Sequence, residues 1–228
     1  GLLTHQVLFS QTLGGNSLFN FVKFPSTPQL TALGGINCSQ LTKDVSLSFY
    51  NPALMQPSQS GQAQFAFNSF VAGVQSFQTT GAYYQKRLAT SFGMGIHYFN
   101  YGQNDQTDAA GNLIGRFHAA DYVVQAMVSR SYLQRWNYGV TLKWLQSSYG
   151  IYRASAIALD AGVTYTDSLL GWRIGMVASN MGTILNNYAT DSRNGDLPFD
   201  LRIGLSRKLP KAPIQLSVTF HHLHRLDR

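Results

Sequence analysis

The chain has 228 residues, enough for one large domain or two small ones, and only 12% of them are charged, against about 25% in soluble globular proteins. No run of about 18 consecutive apolar residues exists, which excludes a helical membrane protein, and the low charge argues against an ordinary soluble one. The formal net charge is +7, and the basic residues are scattered, with Lys86, Arg87, Arg130, Arg135, Lys208 and Lys211 at strand ends and in short turns. A nucleic-acid footprint needs a dense patch or stripe, so no nucleic-acid partner is expected.

Residues 1–60 differ in character from the remainder of the chain. No signal peptide is visible at Gly1, so the numbering is expected to begin at or after a processing site. Ser17 to Phe24 is aromatic and apolar, Pro25 and Pro28 interrupt it, and Gln29 to Leu33 suits a turn or two of helix stopped by Gly34 and Gly35. The lone Cys38 has no intrachain disulfide partner and reads as a small buried residue. An Asn51-Pro52 turn then leads into a second short apolar stretch. The region is expected to fold inward as a plug-like segment with short helices, and residues 61–228 to form the N-terminal part of a transmembrane barrel.

From Gln62 onward the chain alternates apolar and polar residues in segments of about ten. Phe92, Met94, Ile96 and Tyr98 share one face of such a segment and Gly93, Gly95 and His97 the other, because successive strand side chains point to opposite faces. Tyr138, Val140, Leu142 and Trp144 repeat the pattern against Gly139, Thr141 and Lys143. Strands of about 9–11 residues with an apolar outer and a small or polar inner face suit a tilted bilayer crossing. The fold class is therefore all-β, a transmembrane antiparallel β-barrel. Nine strands are predicted, near residues 62–70, 79–86, 91–101, 117–131, 136–149, 155–166, 171–180, 199–208 and 214–223. Residues 87–90, 132–135, 167–170 and 209–213 are tight turns. Gly102 to Arg116 and Met181 to Pro198 are long polar loops, assigned to the cell surface and to partner binding. An odd strand number and a last strand ending on three histidines predict that further C-terminal strands complete the barrel.

The chemistry sought is mostly missing. The predicted inner face carries Asp121, Lys143, Asp160, Arg173, Asp200 and Arg202, read as an internal polar network, with a polar conduit as the alternative. His221, His222 and His224 lack a carboxylate or thiolate nearby in sequence, so no metal site is expected. No nucleophile elbow, phosphate-cradling loop or zinc-binding helix motif occurs. No catalytic residues and no cofactor are expected; the protein reads as a non-enzyme.

Several stretches carry a resemblance. Gly14 to Phe21, Ala32 to Gly35, Val45 to Leu54, Gly115 to Tyr122, Ser179 to Gly182, Leu197 to Phe199 and Leu205 to Leu209 together resemble, in order, the PorV/PorQ family of FadL-like outer-membrane barrels. The resemblance covers almost the whole chain; Asn51-Pro52-Ala53 alone is weakly specific, the ordered set much more so. It implies a barrel of 14 strands when complete, of which this chain covers about nine. It also implies a noncatalytic role in the type IX secretion system, within an outer-membrane attachment complex containing PorU-like and PorV-like proteins. There the protein would anchor a PorZ-like surface protein, amid outer-membrane lipid and lipopolysaccharide. The alternative is a FadL-like channel for hydrophobic small molecules, and a third possibility a soluble β-sandwich whose apolar faces pack together.

Overall fold

The computed structural model describes residues 18–32, 34–40, 42–188, 195–209, 212 and 214–225. Nine antiparallel strands form one sheet in chain order: β1 (Ala63–Ser69), β2 (Gln75–Gln85), β3 (Thr90–Thr107), β4 (Leu113–Tyr132), β5 (Trp136–Tyr149), β6 (Tyr152–Asp167), β7 (Trp172–Asn186), β8 (Asp200–Lys208) and β9 (Gln215–Phe220). Each strand pairs with the next, leaving β1 and β9 as the sheet edges. The architecture is all-β and barrel-like. No helix among the described residues is long and apolar enough to cross a membrane.

Parity explains the strands. Along β5 burial alternates strictly from Trp136 to Gln146, with Asn137, Gly139, Thr141, Lys143 and Leu145 turned in and Tyr138, Val140, Leu142 and Trp144 turned out. A one-residue slip would exchange the two sets, so the pattern fixes the register. All six turns from β1 to β7 use a residue in the left-handed region: Gly73, Ala89, Gly111, Leu133 with Gln134, Gly150 and Gly171 in turn. Asp167 Oδ1 also accepts from the N–H groups of Leu169 and Leu170 at 2.9 and 3.1 Å.

Several elements differ from the sequence reading at their ends. Most of Gly102 to Arg116 is not loop: β3 and β4 continue as a paired hairpin arm, with Asp105 opposite Arg116 and Gln106 opposite Gly115. Likewise β7 runs on to Asn186, into the stretch read as the second loop, and β2 starts at Gln75. In each case the apolar alternation stops before the backbone pairing does. The connections at this end are also mixed in length, since Phe70 to Val74 and Gly150 to Ile151 are tight. Residues 189–194, and residues 210, 211 and 213 of the β8–β9 turn, lie outside the described residues.

The segment before β1 lies against the inner face. Its α-helix, Pro28–Ala32, ends in a Schellman-type arrangement: Gly35 N–H donates to Leu30 O at 2.8 Å, with Gly34 and Gly35 both at φ near +80°. Side chains rarely tolerate that conformation, which is why glycine stands there. Short 3-10 turns follow at Val45–Phe49, capped by Asp44, and Pro52–Leu54, capped by Asn51. Phe19, Phe21, Leu30, Leu47, Phe49 and Leu54 form a core with Phe99, Val123, Leu145 and Leu197.

Candidate functional site

The inner face is occupied by the chain's own N-terminal segment, which touches every strand. Asn68 of β1 donates to Ser26 O at 2.5 Å, and Ser26 Oγ donates to Gln78 of β2 at 2.5 Å. In β4, Gln125 Nε2 reaches Phe49 O at 3.2 Å and Ser129 Oγ reaches Met55 O at 3.1 Å. Thr164 of β6 donates to Ala53 O at 3.3 Å, and Arg173 of β7 to Gln40 O at 2.9 Å. Ser39 and Ser206 of β8 share a 2.9 Å hydrogen bond, and Asn37 donates to Ser217 of β9 at 2.6 Å.

On β3 and β5 the contact is made through missing side chains. A Cβ at Gly93 would sit 2.8 Å from Met55 Sδ, one at Gly95 2.9 Å from the Phe49 ring, and one at Gly139 2.8 Å from the Pro52 carbonyl carbon. Gly162, Gly175 and Gly204 continue this track under Asn51, Cys38 and Ser39. At Gly139 and Gly175 the close neighbour is backbone of the segment, and at the others it is a segment side chain, so each glycine leaves room that a Cβ would take. Asn51 is fully buried and satisfied: its Oδ1 caps Ala53 N–H at 3.0 Å and its amide donates to Cys38 O at 2.8 Å. Beneath it, burial pushes the Cys38 thiol up to about 12, against a smaller opposite pull from Arg202.

Asp121, Lys143, Asp160, Arg173, Asp200 and Arg202 are all buried on this inner face. Lys143 Nζ lies 2.6 Å from Asp160 Oδ2 and donates to Asn180 Oδ1 at 3.1 Å. Asn180 sits in the left-handed region, φ 60°, where β7 places two residues opposite Asp160. That bulge turns the Asn180 N–H onto Asp160 Oδ1 at 2.8 Å, while its side-chain amide donates to Pro198 O at 3.1 Å. The stretches Ser179 to Gly182 and Leu197 to Phe199 thus meet at one node. Asp121 is held instead by hydroxyls: those of Ser147, Tyr101 at 2.7 Å and Tyr149 at 3.4 Å. Arg202 pairs with Asp200 at 2.6 Å, and Arg173 also donates to Thr166 at 2.9 Å. Bonded in this way, these charged groups make a packed, stiff interior.

The outer face inverts the usual order. Phe65, Met94, Ile96, Val140, Leu142, Ile157, Leu159, Ile174, Met176, Ile203, Leu205, Leu216 and Val218 are exposed there. The exposed charges on this face of the described strands stand at its margins: Arg130 opposite Tyr138 and Arg207 opposite Leu216 at the turn end, and Arg153 at the other. Near the turn end stand Tyr83, Phe92, Trp136 and Tyr138; near the other end stand Phe67, Tyr98 and Trp144, with Phe67 5.0 Å from Phe77 and Tyr122 5.5 Å from Trp144. From Trp136 to Trp144 the strand covers about 26 Å at ~3.3 Å per residue, or about 20 Å of thickness at a tilt of roughly 40°. A shallow recess of about 310 Å3 among Trp136, Val163, Tyr165, Ile174 and Met176 opens on the same face.

Beyond the band the arm ends in a turn where Asp108 accepts from Ala110 N–H and Asn112 N–H at 2.9 and 2.8 Å. The Asn112 amide, with those backbone groups, holds the Asp108 carboxyl below its usual range. Arg116 donates to Asp105 at 3.1 Å across the arm, with both side chains exposed. A cleft of about 310 Å3 lies between the end of β7, from Gly182 to Asn187, and Gly195, Asp196 and Leu197.

One grouping escaped the sequence reading. The sequence places no carboxylate close to His221 and His222, but in the fold Asp200 lies beside them, with the ligand atoms of all three within 4.8 Å of one another. The register that pairs Ile203 with Phe220 carries the start of β8 to the end of β9; residues about 20 apart in sequence give no local signal of this.

No family model matches the chain, and no curated protein is a significant match to it.

Proposed function

We propose that the protein is an outer-membrane β-barrel scaffold without catalytic activity that holds a surface partner. The observation carrying this reading is the interior: the N-terminal segment is bonded to the strands and packed on their glycines, which leaves the inner face filled rather than open. A carrier of small molecules needs a continuous passage; an anchor does not. The uncharged outer band suits lipid, since a charge at mid-depth costs about 2–4 kcal/mol, and its aromatic borders suit the two interfaces. The packing required of a soluble β-sandwich would hide that band instead of exposing it.

The resemblance to the PorV/PorQ family supplies the finer reading, a noncatalytic component of the type IX secretion attachment complex that anchors a PorZ-like surface protein. The hairpin arm from Gly102 to Arg116 stands clear of the apolar band, and together with the stretch from Met181 to Pro198 it is the partner-facing part in this proposal. Replacing the arm beyond Asn100 and His118 by a short Gly/Ser turn, with the second connection shortened in parallel, should abolish recovery of the surface protein from solubilised membranes while leaving the barrel folded. Unchanged recovery with both replaced refutes the assignment. Uptake of an apolar ligand by vesicles that depends on this protein would favour the FadL-like channel.

A further inference from the structure

We propose that Asp200, His221 and His222 form a binding site for a transition-metal dication of the zinc type, at the edge of the sheet where β8 begins and β9 ends. Consecutive residues in a strand send their side chains to opposite faces. Here His222 adopts φ 58°, a left-handed conformation unusual for a non-glycine residue, and with it the two imidazoles converge, Nδ1 to Nδ1 at 2.5 Å. A locally strained backbone that brings two imidazole nitrogens beside one carboxylate is the kind of arrangement found where strain serves a site.

The donor set decides the ion. Two imidazoles and one carboxylate match zinc-type ligation, with a fourth position left for water or a further ligand. Tetrahedral nitrogens at about 2.0–2.1 Å from the metal lie roughly 3.4 Å apart, so binding opens the imidazole pair by about 1 Å, which exposed side chains allow. Asp200 already accepts from Arg202 Nε and from His222 N–H at 2.6 and 2.7 Å, but a carboxylate has about four lone-pair positions and keeps room for a cation. His224 stands near, its ring 6.1 Å from that of His222, and its buried Nδ1 has no hydrogen-bond partner. Arg202 and Lys23 add positive charge to the surroundings. That penalises calcium or magnesium, which rely on carboxylate charge, more than ions that imidazole binds strongly. A bound ion would tie the segment after β9 to the start of β8.

The test uses the full chain folded in detergent and stripped with a chelator, titrated with zinc alone by calorimetry and with cobalt by visible absorption. Expected is saturable binding of one ion per chain, a tetrahedral cobalt spectrum and a rise in thermal midpoint reversed by chelator. His221→Ala and His222→Ala should each weaken binding at least ~tenfold, His118→Ala should not, and a large excess of magnesium should not compete. Asp200→Asn should weaken it as well, which separates a built three-ligand site from chelation by two adjacent histidines. Absence of saturable binding, or histidine variants equal to the parent chain, overturns the proposal. So does an Asp200→Asn variant that retains the heat-modifiable folded form and binds zinc with unchanged affinity. The exposed histidine variants decide the matter if Asp200→Asn does not fold.

Discussion

Gly175→Ala is the substitution that most directly probes the docking of the N-terminal segment. A methyl at Gly175 would overlap the Cys38 carbonyl oxygen and stand 2.9 Å from its carbon and 3.1 Å from Ser39 Cα. These are backbone atoms, so no flexible side chain can swing aside. Relief requires the Cys38–Ser39 backbone to retreat by about 1 Å, and overpacking of this kind costs about 1–3 kcal/mol. The retreat pulls on the 2.8 Å bond from the Asn51 amide to Cys38 O and on the 2.9 Å contact of Ser39 with Ser206. Losing one such hydrogen bond adds about 1 kcal/mol, which brings the expected loss to roughly 3 kcal/mol. Gly81→Ala is the matched control, because the nearest atom to its added methyl is Gln62 O at 3.7 Å, an ordinary contact. Glycine weakens a strand interior, so that variant should be neutral or slightly stabilising. Urea unfolding in micelles, followed by tryptophan fluorescence, gives both values on one scale. If the two variants agree within about 0.5 kcal/mol, the close approach of segment to strand is not what glycine serves at position 175.

Two other perturbations test the same interior. Asp160→Ala leaves Lys143 buried with only Asn180 Oδ1 as partner, which should cost about 3–5 kcal/mol; the double variant Lys143→Met, Asp160→Leu removes both charges and should be milder, measured as the temperature of heat modifiability. On the proposed secretion role, cargo secretion should be less affected than folding, and a variant with normal thermal behaviour but no secretion would make Asp160 a functional contact. The Cys38 thiol, held at about 12 by burial against an ordinary 9.0, should resist alkylation in the folded protein at pH 8 and react on unfolding. Because its folded value is the higher one, the folded state binds more protons between pH 9 and 12. Its contribution is therefore complete below about pH 9 and declines as pH rises toward 12. Cys38→Ala should flatten that alkaline decline, and an unchanged slope would count against a buried, protonated thiol.

The strands were legible because parity is legible. Trp136 to Tyr149 coincides with β5, since its alternation of large apolar with small or polar residues runs the length of the strand. The arm was not, because Gln103, Asn104, Asp105 and Gln106 lack any apolar alternation although they pair with His118, Phe117, Arg116 and Gly115. Periodicity in side chains reports what the two faces meet; pairing is made by the backbone and continues beyond it. For the inner face, the sequence marked which residues point inward but not what they touch. The asparagine bulge at Asn180 shifts register between Leu159 and Ala161, and the helix stop at Gly34 and Gly35 came from a local motif, whereas Asn51 reaching Cys38 did not. Contacts such as Asp200 with His221 and His222 arise from hairpin register across about 20 residues, a property of the folded chain.

The filled interior has a thermodynamic consequence for how wall and segment depend on each other. Gln78, Gln125, Ser129, Thr164 and Ser206 are buried and direct their polar groups at the N-terminal segment or its neighbours. Removing the segment would strip these groups of partners, each at about 1–3 kcal/mol unless water replaced it. Conversely, the segment's carbonyls at Gln40, Phe49, Ala53 and Met55 find their acceptor roles on the wall, and it has only short helical turns of its own. Neither part satisfies its polar atoms alone. The wall also gives up side chains at Gly93, Gly95, Gly139, Gly162, Gly175 and Gly204 to admit it. A gate that opens and closes would have to break these bonds together, at a cost well above the few kcal/mol that separate conformers in working switches. That cost favours a segment that stays docked, and with it a rigid platform that carries its polar hairpin arm beyond the apolar band.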